Sequence, residues 1–156
     1  MLAPTWEFWA RQFLKQQGLP CDYAGENMVA VLSWMRTENT RAQWNPLATT
    51  LVLKGLPGHI DSWVLPNSIA NVQQYATFGD GLFACVKTLH DGLSTPEFGY
   101  QAIINSLKVQ NKAETTCAAV HASAWGTQIL NSTVAEVRSD YHGVYGVKQL
   151  LTVFPA

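Results

Sequence analysis

Apolar residues along this chain fall first on helical spacing, then on a short β-like spacing, then on helical spacing again. Thr5 is a suitable N-cap, and Trp6, Trp9, Ala10, Phe13 and Leu14 follow on one helical face until Gly18-Leu19-Pro20 closes the element. A second helix starts near Gly25 to Asn27 and carries Met28, Val29, Ala30, Val31, Leu32, Trp34 and Met35. It is apolar nearly all round, which predicts a central, buried position. The pattern stops at Glu38 to Thr40, where Asn39 and Thr40 favour leaving the helix.

The period then changes. Thr49 to Lys54 is β-branched and short, and a turn, Gly55-Leu56-Pro57-Gly58, follows it. Asp61 to Leu65 and Ala70 to Tyr75 supply two further short strands, so about three antiparallel strands are expected. Helical spacing returns with Leu82, Phe83, Cys85, Val86 and Leu89, stopped by Gly92. Thr95-Pro96-Glu97 opens the next helix, with Tyr100, Ile103, Ile104 and Leu107 on its face. Helices over Ala113 to Ala122 and Val134 to Tyr141 follow. The tail from His142 to Ala156 has a composition that suits packing. The sum is one α+β domain over 1–156, mostly α, with a small antiparallel sheet between its second and third main helices.

Composition narrows the function. Charged residues are only 13%, about half the usual share, so a carboxylate in an apolar setting carries information. Basic residues form no run or stripe and the net charge is −1, which argues against nucleic acid and anionic membrane surfaces. No apolar stretch approaches the ~20 residues of a membrane span. No signal peptide is evident at the N-terminus. Cys21, Cys85 and Cys117 lack zinc spacing, and Cys85 and Cys117 read as buried thiols. His59, His90, His121 and His142 show no metal-ligand spacing, and no phosphate loop or serine elbow occurs, so no cofactor and no metal is expected.

Most acidic side chains have ordinary explanations. Glu7, Glu26, Glu97 and Glu114 fall in helix first turns, where they suit the helix dipole. Glu38, at the end of the buried helix, stands apart, together with Asp61 in the sheet region and Asp80 before a helix. Asp80 reads as an N-cap and Asp61 as a turn residue. A glycosidase needs an acid with a raised pKa, which burial of a carboxyl supplies. It also needs a second group to handle the oxocarbenium-like carbon. Pattern alone leaves Glu38 open between that acid and a helix-end residue paired with Arg36 or Arg41.

Trp34-Met35-Arg36-Thr37-Glu38-Asn39-Thr40, Asn45-Pro46-Leu47-Ala48-Thr49-Thr50, Val72-Gln73-Gln74-Tyr75 and Ser123-Ala124-Trp125-Gly126-Thr127 together resemble the lysozyme-like domain of phage lysins and tail-associated lysins, particularly from phages of actinobacteria. In the related lytic transglycosylases and goose-type lysozymes, the acid glutamate ends a buried helix, and a Gly-apolar-Xaa-Gln-apolar strand borders the cleft. Asn71 stands here where that pattern has glycine.

The resemblance implies a lysozyme-like fold that cleaves the β-1,4 bond of peptidoglycan, with Glu38 as acid. It also implies Gln74 facing substrate, Tyr75 packing or touching sugar, and Asn45 and Trp125 lining the cleft. Thr49 or Thr50 would hold a water against the sugar, or Asp61 or Asp80 would be a carboxylate partner. With neither in reach, the muramyl 6-hydroxyl attacks and gives an anhydro product. Bacterial peptidoglycan is thus the expected partner of a monomer, which would meet the wall through a holin or on a virion tail, alone or beside other lysin domains or tail proteins. A non-catalytic wall-binding or tail module is the rival reading, and a chitinase-type inverting hydrolase a third.

Overall fold

The computed structural model describes residues 5–141. Six α-helices occur among them: α1 (Trp6–Gln16), α2 (Glu26–Glu38), α3 (Phe78–Asp91), α4 (Tyr100–Lys108), α5 (Ala113–Ala122) and α6 (Asn131–Asp140). Two short strands, β1 (Trp63–Val64) and β2 (Gln73–Gln74), stand between α2 and α3, and two 3₁₀ turns, Gly92–Ser94 and Pro96–Phe98, link α3 to α4. The architecture is α+β and mostly α. The expectation for the tail from His142 lies outside the described residues.

α2 is central because it has no polar face: every residue from Asn27 to Met35 is buried. It packs against α1, α5 and α6, while α4 packs on α5 and α3 on α1. Trp9, Phe13, Leu32, Trp34, Ile103, Cys117 and Val137 belong to the one large apolar cluster this produces. Inside the helical core, the buried Asn27 side-chain amide ties α2 to its neighbours: Nδ2 donates to the carbonyls of Pro20 (2.9 Å) and Leu107 (2.8 Å). At the rim, Arg138 of α6 joins Glu26 and Glu114, which open α2 and α5, and Glu26 also accepts from the Ala113 amide. The Thr5 hydroxyl caps α1 as its residue type predicts.

The strand expectations need correction. Among the described residues only two paired strands form, antiparallel with Trp63 opposite Gln74 and Val64 opposite Gln73. The 49–54 segment is extended but joins no ladder, because side chains take its backbone groups. Asn45 Nδ2 donates to Thr49 O (2.8 Å), Tyr75 Oη to Leu51 O (2.8 Å), and Leu53 N donates to Ser62 Oγ (2.9 Å). One main-chain bond, from Gln73 N to Thr49 O (3.1 Å), ties it to β2.

The cap of α3 is also displaced from its expected residue. Thr77 is the N-cap and accepts from the Asp80 amide; Asp80 sits one turn inside. There its carboxylate meets His59 Nδ1 at 2.7 Å and accepts from Ile60 N at 3.2 Å, fastening the strand region to α3. Gly81 makes the approach possible, since a β-carbon on it would stand 1.9 Å from the Trp44 carbonyl oxygen.

Candidate functional site

Glu38 is the last residue of α2, and Asn39 leaves the helix in the left-handed conformation (φ 44°). That turn carries the chain across to the extended 49–54 segment and leaves the Glu38 carboxyl on the wall of a cleft of about 370 Å³. One wall comes from the helical side, with Glu38, Thr88, Tyr100 and Trp125. The other comes from the strand region, with Ala48, Thr49, Thr50, Ala70 and Val72. Ala48 and Trp44 both hold positive φ (58° and 55°), so this wall begins in backbone that non-glycine residues seldom adopt.

The partner of Glu38 is a hydroxyl, not a cation. Thr127 Oγ1 donates to Glu38 Oε1. Trp34 Nε1 in turn donates to Thr127 Oγ1 at 3.2 Å, so the threonine proton is directed at the carboxyl. Arg36 points to α6, where it pairs with Glu136 (3.9 Å) and Asp140 (3.5 Å). No arginine bridges Glu38 among the described residues. Burial raises the Glu38 pKa above the ordinary glutamate value, and the Thr127 hydrogen bond offsets part of that rise. The result is a carboxyl that keeps its proton to higher pH than an exposed glutamate.

The residues named from sequence divide sharply. Glu38, Thr49, Thr50 and Trp125 line the cleft. Thr49 is itself buried, with its hydroxyl bonded to that of Thr88, whereas Thr50 is exposed. Trp125 is set by its indole N–H, which donates to Leu47 O at 2.8 Å, and by edge contact with Trp34, centroids 4.9 Å apart.

Asn45, Gln74, Tyr75 and Asp61 do not line the cleft. Asn45 is fully buried and clamps the loop, donating to Thr49 O and Gln73 O and accepting from Thr49 N. Gln74 Oε1 accepts from Gln43 N, and Tyr75 is fully buried against Leu53 and Ala84. Asp61 is exposed and accepts from Gly55 N at 3.0 Å. Asp80 is occupied by His59 and Ile60 N.

Thr127 and Tyr100 are the functional candidates that residue-by-residue reasoning missed. Thr127 closes the Ser-Xaa-Trp-Gly-Thr stretch, but its link to Glu38 spans 89 positions and leaves no local signature. No group of three or more His, Cys, Asp or Glu side chains that could hold a metal occurs among the described residues. No helix there is long and apolar enough to cross a membrane.

A second compartment of about 330 Å³ adjoins the first. Thr50, Thr88 and Tyr100 line both, and Leu51, Val52, Asp91, Gly92 and Phe98 complete the second. Compared with protein-family models, with curated proteins and with solved structures, the chain matches none of them.

Proposed function

We propose that this protein has a lysozyme-like fold and cleaves the glycan strands of bacterial peptidoglycan, with Glu38 as the general acid. The observation that carries the reading is the state of that carboxyl: on a cleft wall, bonded to a neutral hydroxyl, and with a raised pKa. A glycosidase acid has these properties, because it must hold a proton until the leaving oxygen takes it. The directed Thr127 proton makes Oε1 an acceptor, which leaves Oε2 to carry the acidic proton. The resemblance of the 34–40 and 45–50 blocks to phage lysins supports peptidoglycan as the glycan and a phage as the source.

Glycosidases of the common two-carboxylate type need a second carboxylate beside the acid. Among the described residues, the compartment around Glu38 has none, and Asp61 and Asp80 are bonded elsewhere. That removes the two-carboxylate routes and leaves two others: a water held against the sugar by Thr50, which is exposed on the cleft wall, or attack by the substrate's own 6-hydroxyl. In the second, Glu38 gives its proton to the glycosidic oxygen as the C1–O bond breaks. The resulting carboxylate then removes the proton of the muramyl 6-hydroxyl as that oxygen bonds to C1. The acid is regenerated and no water is consumed.

The test is Glu38→Gln assayed on purified cell wall. Cleavage should fall by at least about 100-fold with an unchanged circular dichroism spectrum. Retained cleavage sinks the assignment, and wall binding by the unaltered chain without any cleavage would mark a binding module instead. Mass spectrometry of the products separates the two routes: anhydro-muramyl ends mark attack by the 6-hydroxyl, and reducing muramyl ends mark attack by a water.

A further inference from the structure

We propose that the second compartment is a binding subsite for a further sugar ring of the same glycan, with Phe98 as its stacking platform; this rests on the glycan-cleaving reading above. Three aromatic rings run along the helical wall. Phe98 and Tyr100 have centroids 5.6 Å apart, and Tyr100 and Trp125 have theirs 5.9 Å apart. Trp125 lies against Trp34, whose indole bonds the threonine that holds Glu38. The row therefore leads from the acid into the second compartment without a break. Its outer member is open to ligand, since Phe98 is 41% exposed, and Val52, which lines the same compartment, is 57% exposed.

Gly92 shows that the floor is built to hold these rings. Its φ is −71°, which any residue adopts, so the backbone does not demand glycine there. A β-carbon, however, would stand 2.3 Å from the Tyr100 ring and 3.1 Å from that of Phe98. The glycine is what lets both aromatics settle over the end of α3.

The chemistry of the compartment selects a sugar rather than a peptide stem. Leu51, Val52 and Phe98 present apolar surface, suited to the C–H face of a pyranose and to an acetamido methyl. Thr50 stands at the seam between the compartments. The one charge, Asp91, is neutralised by Lys87 Nζ at 2.8 Å, so the compartment carries no net charge of its own to attract a charged stem peptide.

The experiment measures binding of glycan fragments to Glu38→Gln protein, with and without Phe98→Ala, by calorimetry. The fragments are peptidoglycan disaccharides, tetrasaccharides and hexasaccharides, each with stem peptides retained or removed. Phe98→Ala should weaken the longer fragments about tenfold, leave the disaccharide unchanged, and act alike with or without peptides. Phe98→Tyr should restore binding, which separates loss of stacking from damage to the fold.

Equal loss at every length, or none at any, overturns the subsite while leaving the Glu38 assignment standing on its own cleavage assay. Loss confined to peptide-bearing fragments also overturns it, in favour of a stem-peptide site. If no fragment binds and the unaltered chain cleaves no wall, the subsite and the glycan reading fall together.

Discussion

The two walls of the cleft are held up by different forces. Behind Glu38, Tyr100 and Trp125 stands the helical cluster, where apolar side chains are buried and few polar groups need partners. Behind Thr49 and Val72 stands the 39–77 segment, whose only regular structure is two strands of two residues. Here Val52, Ile60, Trp63, Val64 and Ile69 lie on the surface, and the backbone is held by polar side chains: Asn45, Ser62 and Tyr75 from within the segment and Asp80 from α3. Burial is additive and tolerant of small shifts, while such clamps are few and each matters separately. A cleft between the two has a rigid side that carries the acid and a side that can loosen without unfolding the whole.

The comparison can be broken from either side. Leu32→Ala, in the middle of α2, should cost about 3 kcal/mol of global stability, read as a lowered urea midpoint with all probes shifting together. Asn45→Ala takes the acceptor from Thr49 N and a donor from both Thr49 O, which keeps the Gln73 amide, and Gln73 O, and should cost about 2 kcal/mol. Its signature is local: amide exchange at Thr49 and Gln73 should accelerate while the α2 amides keep their protection. Uniform acceleration in the Asn45 variant would mean that the two regions unfold as one and that the contrast is false.

The smallest effect sits where the walls meet. Thr127→Val should leave the unfolding midpoint within about 0.5 kcal/mol of the parent and change the pH profile instead. The Thr127 hydrogen bond lowers the Glu38 pKa against burial, so its removal raises that pKa further. The alkaline limb of wall cleavage should then move to higher pH, and the maximal rate should fall as the carboxyl loses its orientation. Thr127→Ser should restore both. A limb that does not move would show that Glu38 is not the group that sets it.

The helices were legible because their apolar spacing is itself what buries them. α1 with its Thr5 cap, the all-apolar α2, and α3 stopped at Gly92 follow from local residues. The 49–54 segment was misread as a strand, since its β-branched run gives no hint that Asn45 and Tyr75 will take its carbonyls. For the same reason nothing local shows that the side chains of Asn45, Gln74 and Tyr75 bond to backbone groups of the loop. Polar residues beside a cleft and polar residues that build its wall look alike until their partners are known. Glu38 stood out because a carboxylate ending an apolar helix conflicts with its neighbours, whereas Thr127 is an ordinary threonine in an ordinary turn.

Gly92 has a consequence for how such a chain can vary. Its missing β-carbon and the Tyr100 ring fill one space, so the two positions are a linked pair in evolution: a side chain can appear at one only after the other has shrunk. In a future set of relatives, aromatic residues at position 100 should co-occur with glycine at 92, and lineages that lose the ring should be the ones free to replace the glycine.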